Sequence, residues 1–204
     1  MNLSFTRGDE EAAVRENYRR LARALGAEVG QFVCSDQTHT VNVRRVTAAD
    51  AGKGLTRERD YRDVDGLITD EPGLVLSTFY ADCVPLYVVD PVHRAIGMSH
   101  SGWRGTAARM GAVTLSAMQE AYGTRPEDVV CAVGPSICKD CYEVSADVQI
   151  FSRRNFPGMS RRFWQRVRRT ASGWLTQTKN TSWISGRRTR SFFWRRACEK
   201  SIWQ

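Results

Sequence analysis

Histidine is scarce in this chain, and long apolar runs are missing. Only three histidines, His39, His93 and His100, occur among 204 residues, so a metal site built from histidine and cysteine must draw on this small set. No apolar run approaches the roughly 18 residues that a helix needs to cross a bilayer. The sequence therefore predicts no membrane span, while its 42% hydrophobic content is enough to build one folded domain with a sizeable core.

Cysteine and N-terminal composition bear on the compartment. Six cysteines in 204 residues are too sparse for a disulfide scaffold, so they are expected to be free thiols or metal ligands. Residues 1–11 lack the apolar stretch of a secretory signal and become acidic at once. Both observations predict a cytoplasmic protein.

Acidic residues almost disappear after position 150. Residues 151–204 hold 12 arginines, two lysines and one acid, Glu199, whereas the first 150 residues have a net charge of −5. From about Met159 neither the strand period nor the helix period persists. We therefore predict a core at 1–159 and a basic tail at 160–204 that is non-native or disordered. Nucleic-acid binding by the tail is not favoured, because its interleaved arginines and tryptophans match no known module.

Hydrophobic periodicity outlines the core. It predicts a helix through Val14 and Leu25 that stops at Gly26, and a second one from Met110 that ends before Gly123. The segment 51–63 is charged and predicts a surface loop, and Pro85 argues against one continuous strand from Leu74 onward. Strand-like segments lie at 31–34, 40–46, 74–80, 86–89 and 95–100, and a further buried strand is expected at 129–133.

The segment Ser99–Thr106 combines a strand end with a glycine-rich turn and a helix start. Backbone N–H groups would converge there near Arg104, whose guanidinium could grip a phosphate with two hydrogen bonds. Two glycines with this spacing are equally compatible with a simple tight turn.

Cysteine and histidine spacing leaves the metal question open. The separations of His39, Cys83 and His100 match no local zinc motif, so a buried thiol with two hydrogen-bonded imidazoles is the favoured interpretation of the spacing alone. Cys138 and Cys141 form a Cys-x-x-Cys pair with Cys131 upstream, but no second pair completes a four-ligand site. Plain loop thiols are the favoured interpretation of that pair.

Several short motifs follow one another in a characteristic order. They are Gln37-Thr38-His39, Asp63-Val64-Asp65-Gly66-Leu67-Ile68-Thr69, Ala81-Asp82-Cys83-Val84-Pro85, His100-Ser101-Gly102-Trp103-Arg104-Gly105-Thr106, and Gly134-Pro135-Ser136-Ile137 with Cys141-Tyr142-Glu143-Val144. Together they resemble the laccase-domain, or polyphenol-oxidase-like, family of purine nucleoside phosphorylases. The resemblance covers residues 2 to about 159.

This resemblance implies a fold and a metal. The fold would be α/β (α+β), a single sandwich-like domain with a mixed sheet and flanking helices. The metal would be a catalytic zinc (Zn²⁺) held by His39, Cys83 and His100, because three protein ligands leave a fourth position open for chemistry.

The same resemblance implies substrates and further site residues. The expected reactions are phosphorolysis of adenosine, inosine or methylthioadenosine by inorganic phosphate and deamination of adenosine at C6 by a zinc-activated water. Gly102, Arg104, Gly105 and Thr106 are the expected phosphate contacts. Asp65 and Asp82 are possible acid/base groups or ribose contacts, and the residues do not favour one over the other.

Two other chemistries were compared with this expectation. A multicopper oxidase needs on the order of ten histidine ligands and the chain has three, so laccase chemistry is rejected. A cysteine hydrolase or amidase could instead use Cys83 as nucleophile and His100 as base. A non-catalytic zinc-binding remnant that acts through partners is the third alternative.

The chain departs from the family at both ends. Members normally have a strand and a Gly-Gly loop before the position of Asn2, and a Leu-Asp-Leu-Trp helix beyond Gly158. Codons that encode Lys179–Thr189 can encode a Leu-Asp-Leu-Trp string when read one nucleotide earlier. We therefore expect a truncated N-terminus and a frame-shifted or divergent C-terminus that impairs activity.

Overall fold

A computed structural model of the chain describes residues 1–137, positions 141, 142, 144, 145 and 148, and the backbone of 168, 169, 176 and 177. The helices are α1 (Glu11–Leu25), α2 (Trp103–Ala107) and α3 (Met110–Tyr122). The strands are β1 (Phe32–Cys34), β2 (Val43–Arg45), β3 (Gly66–Thr69), β4 (Val75–Ser77), β5 (Val84–Asp90), β6 (Ala95–Ser101), β7 (Val130–Val133), β8 (Arg168–Arg169) and β9 (Thr176–Gln177). Single 3-10 turns lie at Val29–Gln31 and Ala48–Asp50.

The first helix follows its apolar stripe. Val14, Tyr18 and Ala22 are buried in α1, and they pack against Phe32 of β1 in one apolar cluster. Gly26 ends the helix in a left-handed conformation, with φ 65°, where glycine carries no Cβ penalty. The predicted first helix is therefore confirmed.

The strands form a mixed arrangement. β1 and β4 make a parallel pair, and a five-stranded sheet has the order β2-β3-β6-β5-β7, in which β2 and β3 are parallel and the other neighbours antiparallel. β8 and β9 pair antiparallel. This confirms the mixed α/β class with flanking helices.

The third helix covers one face of the larger sheet. Its buried side chains include Leu115 and Met118, which join Ile68, Val88 and Ala95 in an apolar cluster. A left-handed Gly123 ends α3, as its sequence pattern predicts. This packing holds β5 and β6 in place, and two of the site residues described below lie in β6 or directly before β5.

Two details differ from the sequence expectations. The strand predicted to be buried at 129–133 has Val130 65% exposed, because β7 lies at the edge of the sheet and, among the described strands, pairs only with β5. The charged segment 51–63 contains no helix or strand, but Leu55 and Tyr61 are buried within it. Edge position and tertiary packing, rather than local composition, decide exposure at these positions.

Pro85 lies inside a strand, although the sequence predicts a break between two strands at this position. β4 and β5 are separate strands and lie in different sheets, but Pro85 itself is the second residue of β5. The pairing of β5 with β7 begins only at Leu86, so the missing N–H of Pro85 lies beyond that ladder.

Within the described part of the chain, no helix combines the length and the apolar character that crossing a membrane requires.

Candidate metal centre

Three side chains that are distant in sequence converge at one point of the surface. His39 lies in the loop between β1 and β2, Cys83 directly precedes β5, and His100 lies in β6. One potential ligand atom from each of the three residues lies within 4.8 Å of the other two. His39 Nε2 is 3.8 Å from Cys83 Sγ, and the two imidazole rings are 4.9 Å apart in an edge-to-face arrangement.

The loop that carries His39 is wrapped around a buried carboxylate. The backbone N–H groups of Thr38, His39 and Thr40 donate to the two oxygens of Asp65 at 2.8 to 3.1 Å. His39 has a left-handed backbone with φ 66°, which is uncommon for a residue with a side chain. This local conformation turns three successive N–H groups toward one acceptor.

The same carboxylate orients the second histidine. Asp65 Oδ1 lies 2.7 Å from Nδ1 of His100, and both side chains are buried. The Nε2 atom of His100 is therefore the one left for the cluster. Such a carboxylate partner fixes the tautomer and ring orientation of a metal-binding histidine.

Electrostatics follow from this geometry. Burial alone would raise the pKa of Asp65, but hydrogen bonds from His100, Thr40 and Thr38 outweigh it and lower the pKa to about 2. Burial alone would lower the pKa of His100, but Asp65 and the neighbouring Cys83 outweigh it and raise the pKa to about 9. The carboxylate is therefore ionised at neutral pH and favours a protonated Nδ1.

Close approach at the cluster depends on a glycine. A Cβ atom at position 102 would lie 2.8 Å from His39 Cδ2 and 3.1 Å from Cys83 Sγ. Gly102 is buried directly before α2. Its lack of a side chain thus leaves room for the two ligands beside it.

The other residues predicted for the site differ in their exposure and in their contacts. Arg104 is exposed, and its guanidinium lies over the ring of Trp103 at 4.4 Å. The Thr106 hydroxyl lies 2.9 Å from that of Ser101, and Gly105 is buried in α2. Asp82 is exposed beside Cys83, and its backbone oxygen accepts from Ile137 at 3.1 Å.

Among the residues that the structure describes, His93 and the other cysteines do not join the cluster. His93 pairs with Asp90 at the far end of β5. Cys131 lies in β7, and Cys141 is exposed. Cys138 lies outside the described residues, so the predicted loop-thiol pair stays a prediction.

Sequence reasoning did not find every residue that shapes the site. The Tyr80 ring lies 5.6 Å from the ring of His100, and the Gln37 side chain bonds to the backbone of Phe79. Gln37 stands two positions before His39 and could have been considered for that reason. Tyr80 has no comparable signal, because it enters the site through tertiary packing alone.

The donor set fits a transition metal. One thiolate and two imidazoles are ligands that soft or borderline cations prefer. Ligand atoms of a tetrahedral zinc lie about 3.5 Å apart, and the His39–Cys83 separation of 3.8 Å is close to this value. His39 and Cys83 could therefore bind one metal ion with little movement of their side chains.

The chain matches one protein family over most of its length. Residues 1–181 match the family model described as multi-copper polyphenol oxidoreductase laccase. The chain belongs to this family.

Curated relatives carry enzyme names. A protein of Geobacillus stearothermophilus named purine nucleoside phosphorylase YlmD is 36% identical over 81% of this chain and 61% of its own length. A protein of an unknown prokaryotic organism named adenosine deaminase RL5 is 34% identical over 76% of this chain and 60% of its own length. The chain thus spans about three fifths of these two relatives.

A solved structure shares the fold. The crystal structure of the hypothetical protein YfiH from Bacillus licheniformis superposes with a TM-score of 0.74 and 32% identity, over 87% of this chain and 65% of the other.

Proposed function

We propose that the chain carries the metal centre of a zinc-dependent purine nucleoside phosphorylase that also deaminates adenosine. The main observation in its favour is the convergence of His39, Cys83 and His100 in a chain whose relatives are named for these two activities. The substrates would be adenosine, inosine or methylthioadenosine with inorganic phosphate, and the products the free base and the sugar 1-phosphate.

Each residue of the centre has a separate task. The Cys83 thiolate and one ring nitrogen of each histidine would hold the zinc. Asp65 acts as a positioning residue, since it accepts from Nδ1 of His100 and from the N–H groups of the His39 loop. When bound in such a site, zinc supplies Lewis acidity and lowers the pKa of a coordinated water toward about 7.

Phosphorolysis additionally needs an oxyanion contact, which we assign to Arg104. Arg104 is exposed and stands two residues after Gly102, which lies beside the cluster. A planar guanidinium can donate two parallel hydrogen bonds to a phosphate. Gly105 and Thr106 share the short helix with Arg104, and exposed Asp82 is suited to accept from a ribose hydroxyl.

Neither alternative chemistry has comparable support. A multicopper centre needs about ten histidines, and this chain has three in all, despite the description of its family. The relatives reported above are not named cysteine hydrolases. A cytoplasmic setting is also proposed, in keeping with a cysteine content that is too low for a disulfide scaffold.

Replacement of Cys83 tests the centre. The wild-type chain should contain about one zinc per molecule, although little turnover of adenosine or inosine is expected of it. Cys83→Ala should lose most of the metal, because a three-ligand site then keeps only two protein donors. Metal content is measured by elemental analysis, with Cys141→Ala as the control at an exposed thiol.

Two results would contradict this assignment. Full zinc retention in Cys83→Ala would remove the cysteine from the ligand set. Hydrolysis that resists chelators but is abolished by thiol alkylation would favour the cysteine hydrolase with Cys83 and His100.

Replacement of Arg104 separates the two reactions. Arg104→Ala should raise the KM for phosphate about tenfold or more, since an oxyanion donor is lost, whereas deamination should change little. Steady-state assays of both reactions measure the difference, and Arg19→Ala on the exposed face of α1 is the control. Equal losses in the two reactions would show that Arg104 does not serve phosphate specifically.

A further inference from the structure

Two of the three ligands lie in the loops that follow a pair of parallel strands. β1 and β4 pair in register from Phe32 with Val75 to Cys34 with Ser77, and one more backbone bond joins the N–H of Ser35 to the oxygen of Ser77 at 3.0 Å. Beyond this point both segments continue as loops. One loop continues to His39, and the other continues to Cys83.

A side-chain amide continues the pairing after the backbone ladder ends. Nε2 of Gln37 donates to the oxygen of Phe79 at 2.6 Å, and the N–H of Phe79 donates to Oε1 of Gln37 at 2.7 Å. The Ser35 hydroxyl donates to the same Oε1 at 3.0 Å. The Gln37 amide thus takes the place of a peptide group opposite Phe79.

The orientation of this amide follows from its partners. The N–H of Phe79 can only donate and the oxygen of Phe79 can only accept. The Gln37 oxygen must therefore face the N–H of Phe79, and the Gln37 nitrogen must face the oxygen of Phe79. Rotation of the amide by 180° would leave both contacts unsatisfied.

We propose that Gln37 is a positioning residue that holds the His39 loop against the Cys83 loop and so sets the spacing of these two ligands. The inference rests on the proposed metal centre. Gln37 stands two residues before His39, and its partner Phe79 stands four residues before Cys83. A bridge so close to both ligands restricts their relative movement, and metal affinity depends on ligand positions within about 0.5 Å.

The bridge should act on the site more than on overall stability. Gln37 is half-buried and Phe79 is exposed, so water can replace these hydrogen bonds when they are lost, and their net contribution to folding is modest. Water cannot, however, hold the two loops at a fixed distance. Loss of the amide should therefore loosen the site while the fold persists.

The experiment compares Gln37→Met with Gln119→Met in the full chain. Methionine keeps the length of the side chain but removes the paired hydrogen bonds, and Gln119 is an exposed residue of α3. Amide hydrogen exchange followed by NMR should be faster at Phe79 in Gln37→Met than in the wild-type chain. Gln119→Met should exchange at the wild-type rate there.

A Co²⁺ titration measures the effect on the site. Absorption of the thiolate-bound Co²⁺ reports ligand geometry, and a Cys83→Ser chain provides the baseline for metal bound elsewhere. Gln37→Met should bind Co²⁺ at least tenfold more weakly than the wild-type chain and with an altered spectrum, as expected when a supporting hydrogen bond of a metal site is lost. Gln119→Met should match the wild-type chain.

The outcomes separate this inference from the proposed function. Unchanged Phe79 exchange in Gln37→Met, or an unchanged Co²⁺ affinity and spectrum, would overturn the role of Gln37. If the wild-type chain shows no Co²⁺ absorption above the Cys83→Ser baseline, the metal centre itself is wrong. Faster Phe79 exchange would in that case still support the bridge between the loops.

Discussion

Asp65 shows how one residue can organise a site made from several segments. Its carboxylate accepts from three backbone N–H groups, the Thr40 hydroxyl and the His100 ring. A buried carboxylate without such partners would be strongly destabilising. Since all of its partners belong to the His39 loop or to His100 itself, satisfying Asp65 also places these two ligands.

Gly102 and Gly105 provide a matched pair of variants at the residue scale. Gly102→Ala places a methyl group 2.8 Å from His39 Cδ2, so His39 must move and zinc affinity should fall tenfold or more. Gly105→Ala brings its methyl group no closer than 3.5 Å to Ser101 Oγ, an ordinary contact, and should bind zinc like the wild-type chain. Competition with a chromophoric chelator measures both affinities.

A thermal unfolding scan of each metal-free variant shows whether the fold persists. Equal zinc affinities in the two alanine variants would mean that the cluster adapts to the methyl group, and the steric role of Gly102 would be wrong.

At the scale of elements, the hairpin of β5 and β6 sets the relation between two ligands. Pro85 pairs with His100 and Val84 with Ser101, while Asp90 pairs with Ala95 at the opposite end. A shift of this register by one residue would turn His100 to the other face of the sheet. The turn at 91–94 is thus coupled to the metal centre through the register of the strands.

Asp90 stabilises this turn through charge-assisted hydrogen bonds. Its Oδ1 accepts from the N–H groups of Val92 and His93, and its Oδ2 lies 2.8 Å from Nδ1 of His93. Burial alone would raise the pKa of Asp90, but the Thr124 side chain together with His93 and the N–H of Val92 outweighs it and lowers the pKa to about 2.

Asp90→Asn should therefore have a pH-dependent effect on stability. A depressed pKa contributes stability that is present above the unfolded value of 3.8 and is lost as the pH falls toward about 2. At pH 7 the free energy of unfolding should drop by about 1–2 kcal/mol, and the difference from the wild-type chain should shrink below pH 4.

Urea unfolding at several pH values measures this difference, with Asp9→Asn at an exposed position as the control. A loss of stability that stays constant from pH 7 to pH 3 would show that the charge of Asp90 is not responsible.

At the scale of the whole molecule, the metal centre lies where the β1–β4 pair meets the five-stranded sheet. His39 follows β1 of the small parallel sheet, whereas His100 belongs to β6 of the larger one. Tyr80 links them, because it follows β4 while its hydroxyl donates to the oxygen of Ser99 in β6 at 3.2 Å. The site therefore forms only when both sheets are folded and in contact.

The basic tail leads to a prediction about the gene. We expect the chain from a point between Met159 and Asn180 onward to be a frame-shifted form of the ordinary family C-terminus, because displaced GC-rich codons readily yield arginine and tryptophan. Sequencing the locus tests this, and one inserted or deleted nucleotide should restore the Leu-Asp-Leu-Trp string. If no single change does so, the tail requires a function of its own.

The tail prediction is independent of the structure. Most of residues 160–204 lie outside the described residues, so the expectation that they are disordered stays a prediction. The family match extends to residue 181, past the compositional boundary at Met159, and does not separate the two segments.

The sequence by itself determined the local elements and the identity of the family. Apolar periodicity and glycine stops are local properties. The helix α1 could therefore be predicted from the apolar stripe of Val14 and Tyr18 with its stop at Gly26, and α3 from the stripe that begins at Met110 with its stop at Gly123. The ordered motifs around His39, Cys83 and His100 indicated the family, although their spacing matched no local metal motif.

Only the tertiary structure decided how these residues act together. The separation of 44 positions between His39 and Cys83 is spanned by strand pairing and loop packing, which depend on contacts that no local pattern encodes. For the same reason the exposure of Val130, the burial of Leu55, and the roles of Asp65, Gly102 and Gln37 became visible only in three dimensions. A side chain's neighbours across a sheet, rather than its neighbours along the chain, determine what it can do.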